Sequence, residues 1–358
     1  MSWVLALAGF SALILLHEFG HFAAAKAVGM RVERFSLFFP PHILKRKSGE
    51  TEYALGTIPI GGYVKISGMS PAENLPDDVR DRAYHAQPVW KRMVVIAAGP
   101  AMNFVLALLL IIFFFTSFGP RDLGVAALQK GFPAAGTLRQ GDVLVAVDGH
   151  RGNDRQLASR IATHRCPHLP PTPGCRAAHP ARILIRRAGH LRAVTLTPIY
   201  DPKTKRMRVG FQYGDTGPRH PVSFGKAASE GFSAFGRVTG KIVQLPLYLL
   251  NAQQRKQLTG PIGTYEYTRQ AFLTDAGDAI SVLALVSLSL GVLNLFPFLP
   301  LDGGHIFWAI VEKVRRRPVP LSVMERAGVV GFALILGLYV IGFSNDISRL
   351  SGQGFRVR

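Results

Sequence analysis

Two histidines four residues apart, His17 and His21, stand with Glu18 beside the first of them. On a helix, positions i and i+4 lie one above the other on the same face. Both imidazoles can then reach one metal ion, and Glu18 can meet a water held by that ion. Such His-Glu-x-x-His spacing suits zinc-assisted hydrolysis, with the two histidines as ligands and Glu18 as general base. The setting sharpens this reading. The run from Trp3 to Leu16 is apolar or small, and Phe22, Ala23, Ala24 and Ala25 follow. Ionisable side chains inside such a stretch are costly in lipid and mark a functional site. The competing reading, a chance match on an ordinary helix, fits the five residues alone but not their surroundings.

A catalytic zinc takes three protein ligands and keeps one position open. The third candidate is Asp302. An apolar run from Ile280 to Leu293 gives way to Asn294, then to Pro297, Pro300, Leu301, Asp302, Gly303, Gly304 and His305. Two prolines three residues apart disrupt helix hydrogen bonding. Unwound backbone at membrane depth is tolerated where protein buries it or water reaches it, and a carboxylate there wants a cation. The alternative for Asp302 is a cap on a following helix, 305–313. His305 is either a fourth ligand, which would close the site, or a helix-start residue.

These residues need a membrane-spanning frame. Stretches at about 3–25, 93–118, 279–301 and 327–343 approach or exceed the roughly 20 apolar residues that a helix needs to cross a bilayer. The first does not read as a cleaved signal peptide, because it lacks a basic leading region. The hydrophobic share is 48%, enough for a membrane protein with a soluble portion, and the formal net charge is +20. Nucleic-acid binding would need a recognisable fold, and the sequence offers none. Lys313, Arg315, Arg316, Arg317 and Arg326 place the last inter-helix loop in the cytoplasm by the positive-inside rule. Both termini and the long segment 119–278 then lie outside. The two cysteines, Cys166 and Cys175, fall in that outer segment, where a disulfide is favoured over free thiols or a Cys/His metal site.

Between the spans, Tyr53–Ile58 and Tyr63–Ile66 read as two short strands with Pro59, Ile60, Gly61 and Gly62 as their turn. This hairpin is either a surface feature or an edge that takes an extended peptide by strand addition. Residues 70–87 read as a connector. Small residues and Asn103 in Ala98-Gly99-Pro100-Ala101-Met102-Asn103 read as helix-packing devices. Farther on, Val125–Leu128, Val143–Val147, Arg182–Ile185 and Ala193–Thr197 read as strands, with a helix that begins near Asn153 or Asp154 and reads Gln156 to Thr163. The stretch from Gly131 through Gly141-Asp142 to Asp148-Gly149 resembles a PDZ domain, a fold that binds peptide ends or strands at a sheet edge. Residues 222–254 form an apolar helical face bent or ended by Pro246, and Gly260-Pro261-Ile262-Gly263 is a sharp turn.

Taken together, His17 to His21, Ile58 to Val64, Ala98 to Asn103, the PDZ-like pattern, Gly260 to Gly263 and Asn294 to His305 arrive in one order. In that order the chain resembles the site-2 protease family, specifically its bacterial members with a PDZ domain. The resemblance implies an α-helical polytopic membrane protein with four transmembrane helices, a membrane-associated β-hairpin at 52–66 and an inserted α+β PDZ domain. It implies divisions at 1–28, 29–90, 91–118, 122–200, 201–278, 279–305, 306–326, 327–344 and 345–358. It also implies Zn2+ held by His17, His21 and Asp302, catalysis by Glu18, and Asn294 steadying the oxyanion. The substrate would be a pre-trimmed transmembrane protein or peptide, such as an anti-sigma factor or a signal-peptide remnant, paired to the 52–66 hairpin. A peptide or substrate end would meet the PDZ domain, outside an inner membrane. Two features depart from the family: a single PDZ-like unit where some members have two, and Leu299 where proline is frequent. The competing classes are a zinc-binding or transport membrane protein without hydrolysis, and a PDZ-based membrane adaptor. Glu18 argues against the first, and a closed four-ligand site would favour the second.

Overall fold

The structure, a computed structural model, describes residues 2–69, 73–168, 170–249, 251–256 and 258–351. Residues 70–72 of the expected connector, Leu169 between the cysteines, Leu250 of the expected helix 222–254, and 352–358 of the expected tail lie outside the described residues. The chain forms two compact units, one of Met1–Phe114 with Ser223–Val357, the other of Phe115–Val222. The first begins with α1 (Ser2–Ala27), β1 (Val32–Ser48), β2 (Thr51–Ile66), the one-turn α2 (Asp77–Arg80) and α3 (Val89–Ser117). The second holds β3 (Arg121–Leu128), β4 (Val143–Val147), β5 (His150–Arg151), α4 (Asp154–Ala162), β6 (Ala181–Arg187), β7 (His190–Leu196), β8 (Ile199–Asp201), β9 (Arg206–Arg208) and β10 (Phe211–Arg219). The first unit resumes with α5 (Phe224–Val243), α6 (Leu245–Tyr248), α7 (Ala252–Arg255), α8 (Pro261–Thr274), α9 (Ala276–Asn294), α10 (Asp302–Arg315) and α11 (Leu321–Leu350).

Among the described residues, four helices, α1, α3, α9 and α11, are long and apolar enough to cross a membrane; they overlap the expected spans, the third ending at Asn294 rather than at 301. Their outward faces carry large apolar side chains such as Leu5, Leu109, Leu285 and Phe332, which suits lipid as solvent. The close approach of α1 and α3 depends on glycine. A Cβ on Gly20 would collide with the Ala98 carbonyl oxygen, and one on Gly99 would collide with the His21 ring. Small residues at such crossings are how helices pack without a hydrophobic driving force.

The expected local hairpin at 52–66 is not what forms. Thr51–Ile66 is one long strand, β2, and its antiparallel partner is β1, whose strand character the sequence reading had missed. Within the pair, Arg34–Leu37 lie between two stretches of β2, Glu52–Leu55 on one side and Gly62–Lys65 on the other. Inserting a third segment satisfies backbone groups on both flanking stretches, which a two-strand local hairpin leaves open. Gly49, at φ 61, makes the turn between the strands, and Gly56 leaves room for the Phe39 carbonyl. Beside the turn, Glu50 accepts from Lys26 at the end of α1 at 2.6 Å and from Arg82 at 2.8 and 2.9 Å. These hydrogen bonds, Arg82's first and then Lys26's, hold its carboxyl down at about 2.

The apolar helix expected over 222–254 ends earlier, at Val243, before Pro246. Phe235, Val238 and Leu245 pack with Ala107, Ile242, Leu288 and Val292, so one face of α5 is a core face against the spans. Phe224 and Phe232 instead remain exposed. Gly260 and Gly263, in the expected turn, open α8. Their backbone N–H groups donate to the Asp346 carboxylate of α11 at 3.1 and 2.8 Å. An anion at a helix start is favoured by the free amides and the dipole there.

In the second unit, β5-β4-β6-β7 form one antiparallel sheet, and β3 pairs with β10. Its core comprises Val125, Leu144, Val147, Leu157, Ile161, Ile183, Ile185, Leu196 and Val209 among others. Asn153 caps α4 in a reciprocal arrangement with Gln156, explaining why the helix starts there. Asp142 is buried and accepts from Arg187 at 2.6 and 2.7 Å and from the Arg139 amide at 2.8 Å. Burial pushes its carboxyl up, but those bonds outweigh it and hold it below the usual range. Because β10 supplies the partner of β3, the unit runs past the expected end at 200, to Val222. Cys166 and Cys175 are joined by a disulfide, beside Ala177 and Met207.

Candidate metal centre and active site

Two local devices deliver the three metal-ligand candidates. His17 and His21 project from the same face of α1 because they are one helical turn apart. Asp302 is the first residue of α10. That helix is capped by Leu301 without a side-chain bond, so the Asp302 carboxylate is not used as a cap. After Asn294 the chain leaves α9, makes tight turns through 295–301, and starts α10. The paired glycines serve close approach here. A Cβ on Gly303 would collide with the Leu295 carbonyl, and one on Gly304 would lie 2.5 Å from the Leu299 nitrogen. The turn can fold back tightly because neither residue has a side chain.

The three groups converge. Asp302 Oδ2 lies 3.2 Å from His17 Nε2 and 3.4 Å from His21 Nε2, and the two Nε2 atoms are 3.3 Å apart. All three ligand atoms lie within 4.8 Å of one another, and both histidines are buried. Asp302 Oδ2 is buried and has no hydrogen-bond partner. Meanwhile His21 Nδ1 lies 2.9 Å from the Val95 carbonyl oxygen, which can only accept. The ring proton of neutral His21 is therefore on Nδ1, and its Nε2 presents a lone pair. A lone pair, a second imidazole nitrogen and an unsatisfied carboxylate oxygen aimed at one point fit a divalent metal, and the donor set suits zinc.

Glu18 is half-buried on α1, next to β2. A Cβ on Gly62 would lie 3.2 Å from Glu18 Cγ, and the Val64 backbone amide interacts with the Glu18 carboxylate. The Gly62–Ile66 stretch pairs with β1 along one edge and has no second strand partner among the described residues. Asn294 is the last residue of α9 and half-buried. His305 sits one turn beyond Asp302 on α10 and is not part of the convergent group among the described residues.

Asn103 and Val95 escaped the sequence reading as neighbours of the ligands. Asn103, read there as a packing residue, is fully buried on α3 with Nδ2 3.0 Å from His17 Nδ1. The signal available was its place four residues after Gly99, one turn from the helix contact with His21.

Spanning helices and a buried two-histidine, one-aspartate group define a multi-pass membrane metalloprotease. A model of peptidase family M50 matches residues 5–338, and the chain belongs to that family, the site-2 protease family. Relatives named as zinc metalloproteases include one from Clostridium perfringens, 31% identical over 350 residues, covering 96% of this chain and 98% of its own. Another, from Campylobacter jejuni subsp. jejuni, is 32% identical over 373 residues, covering 96% and 92%. A third, from Agrobacterium fabrum, is 30% identical over 367 residues, covering 96% and 94%. Zinc is accordingly its cofactor.

Proposed function

We propose that this metalloprotease hydrolyses peptide bonds within transmembrane segments of membrane proteins whose outer part has already been trimmed. The observation that carries the reading is that two of the three candidate ligands, and Glu18 between them, lie on a helix apolar enough to cross a membrane. When bound, zinc supplies Lewis acidity to a water and to the substrate carbonyl.

His17, His21 and Asp302 would hold the ion. Glu18 takes the proton of the attacking water and returns it to the departing amine, as general base and then general acid. The Asn294 amide donates to the oxygen on which negative charge develops; losing such a donor typically costs about 3 kcal/mol of barrier. A helical substrate cannot present its carbonyl, because helix bonds already occupy its backbone. The open edge at Gly62–Ile66, next to Glu18, suits pairing with an unwound substrate strand.

In this reading the second unit is a PDZ domain in the extracytoplasmic space of an inner membrane, and it excludes substrates with a bulky outer part. Its disulfide fits an oxidising compartment. A cavity of about 310 Å³ beside the start of α4, with Leu144, Leu157 and Tyr213 but also Arg121, Asp122 and Asp154 in its lining, suits a peptide end.

The test compares cells expressing the wild type and Glu18→Gln. Trimmed membrane proteins with intact apolar segments should accumulate in the variant, read by mass spectrometry, while fragments ending within such a segment appear only in the wild type. Identical peptide profiles would reject proteolysis by this site.

A further inference from the structure

The proton position on His21 follows from a backbone carbonyl, which only accepts. For His17 the neighbour is the Asn103 side-chain amide, which offers a donor or an acceptor according to its rotation, and the two rotations have nearly the same shape. In the structure Asn103 Nδ2 faces His17 Nδ1 at 3.0 Å, while Oδ1 is buried without a partner. Turned this way, the amide N–H donates to Nδ1 and the neutral ring must carry its proton on Nε2. That proton would point among His21 Nε2 and Asp302 Oδ2, at 3.3 and 3.2 Å, where a metal ligand needs a lone pair.

Rotating the amide by half a turn removes the conflict. Oδ1 then accepts from Nδ1–H, and Nε2 presents its lone pair. The amide's own satisfaction does not favour the present rotation, which leaves Oδ1 buried without a partner. The imidazole chooses.

The residue is also held in place from the other side. Ser287 Oγ of α9 donates to the Asn103 backbone carbonyl at 3.0 Å. Gly291, one turn later, lies so close that its Cβ would be 3.2 Å from Asn103 Cβ. Three spanning helices thus meet at this side chain: α1 through His17, α3 through Asn103 itself, and α9 behind it. Asn103 is 0% exposed, so no water competes for Nδ1 from that side.

We propose that Asn103 is a positioning residue that keeps His17 in the metal-binding tautomer by accepting its Nδ1–H through Oδ1. This rests on His17 being a zinc ligand. Groups that orient a ligating histidine typically matter 10- to 100-fold in metal affinity.

The experiment measures zinc stoichiometry and chelator-competed affinity on the purified full chain in detergent, with cobalt(II) absorption as a second readout. Asn103→Asp, which can accept but not donate, should retain wild-type affinity within a few-fold and the same cobalt spectrum. Asn103→Leu should lose about 10- to 100-fold in affinity and change the spectrum, with thermal unfolding of the metal-free protein showing whether it is folded. If Asn103→Leu binds zinc as the wild type does, or Asn103→Asp weakens binding more than tenfold, the proposal is overturned. Should Asn103→Leu fail to fold, the Asn103→Asp result decides alone. His17→Ala separates the two layers: undiminished zinc binding in that variant removes His17 as a ligand, and the role of Asn103 with it.

Discussion

Asp302 Oδ2 comes within 3.2 Å of His17 Nε2 although one opens α10 and the other sits in α1, at opposite ends of the chain. The contact is made by a turn that only paired glycines allow, and the Oδ2 atom so delivered is buried without a hydrogen-bond partner.

Removing that carboxylate should therefore remove the metal. Asp302→Ala is expected to lower zinc affinity by more than about 100-fold, beyond the range typical of residues that merely orient a ligand. Elemental analysis after dialysis against a weak chelator measures it. Wild-type zinc content in the variant would exclude Asp302 from the ligand set.

Gly99 gives a steric test of the same centre. A methyl group there falls on the His21 ring, so Gly99→Ala must displace the imidazole or part α1 from α3. Overpacking of this kind costs about 1–3 kcal/mol. The variant should show a lowered unfolding temperature together with loss of zinc and of cleavage. Gly29→Ala, where nothing lies within 4 Å, tests the strain of its positive φ without touching the site.

Excision of the second unit tests the filter. The chain leaves and re-enters it at one place: the His220 amide donates to the Pro120 carbonyl at 3.1 Å and the Val222 amide to the Phe115 carbonyl at 3.0 Å. Replacing 120–219 with a short linker thus spans a small gap, whereas cutting at 200 would leave β10 without β3. Gel analysis should show cleavage of membrane proteins that still carry their outer domains. Unchanged selectivity would end the filter proposal.

Glu50 predicts a pH dependence outside the membrane. Its carboxyl is lowered from 4.5 to about 2 by Arg82 and Lys26, so the stabilisation it lends is present above the ordinary carboxylate range. It is lost as pH falls from there towards the lowered value. Partial exposure keeps the effect below about 1 kcal/mol. Glu50→Gln should unfold at a lower temperature than wild type near pH 7, and the gap should close as pH falls through about 4 towards 2.

What could be read from residues alone was whatever depends on short spacing. The His17–His21 face follows from the helical period, the start of α4 near Asn153 or Asp154 from the residue types there, and the spans from apolar length. Long-range pairing was not so legible. The strand pattern at 53–66 suggested a local hairpin, because nothing in the alternation of side chains says that Arg34–Leu37 will insert between its halves. For the same reason the second unit was cut short at 200: β10 belongs to it through a partner strand far earlier in the chain. Asn103 was legible as a buried polar residue near small ones, and equally consistent with packing, since its role depends on what faces it.

Chemistry and membrane placement thus came from the order of residue types: two imidazoles and a carboxylate within an apolar helix, and an aspartate after a broken one. Convergence of Asp302 on the histidines, the tautomer of His21 and the setting of His17 against Asn103 belonged to the fold. Each depends on atoms from separate helices meeting within hydrogen-bonding distance. Local sequence sets the shape of a helix, but where two helices touch is decided by the packing of all of them.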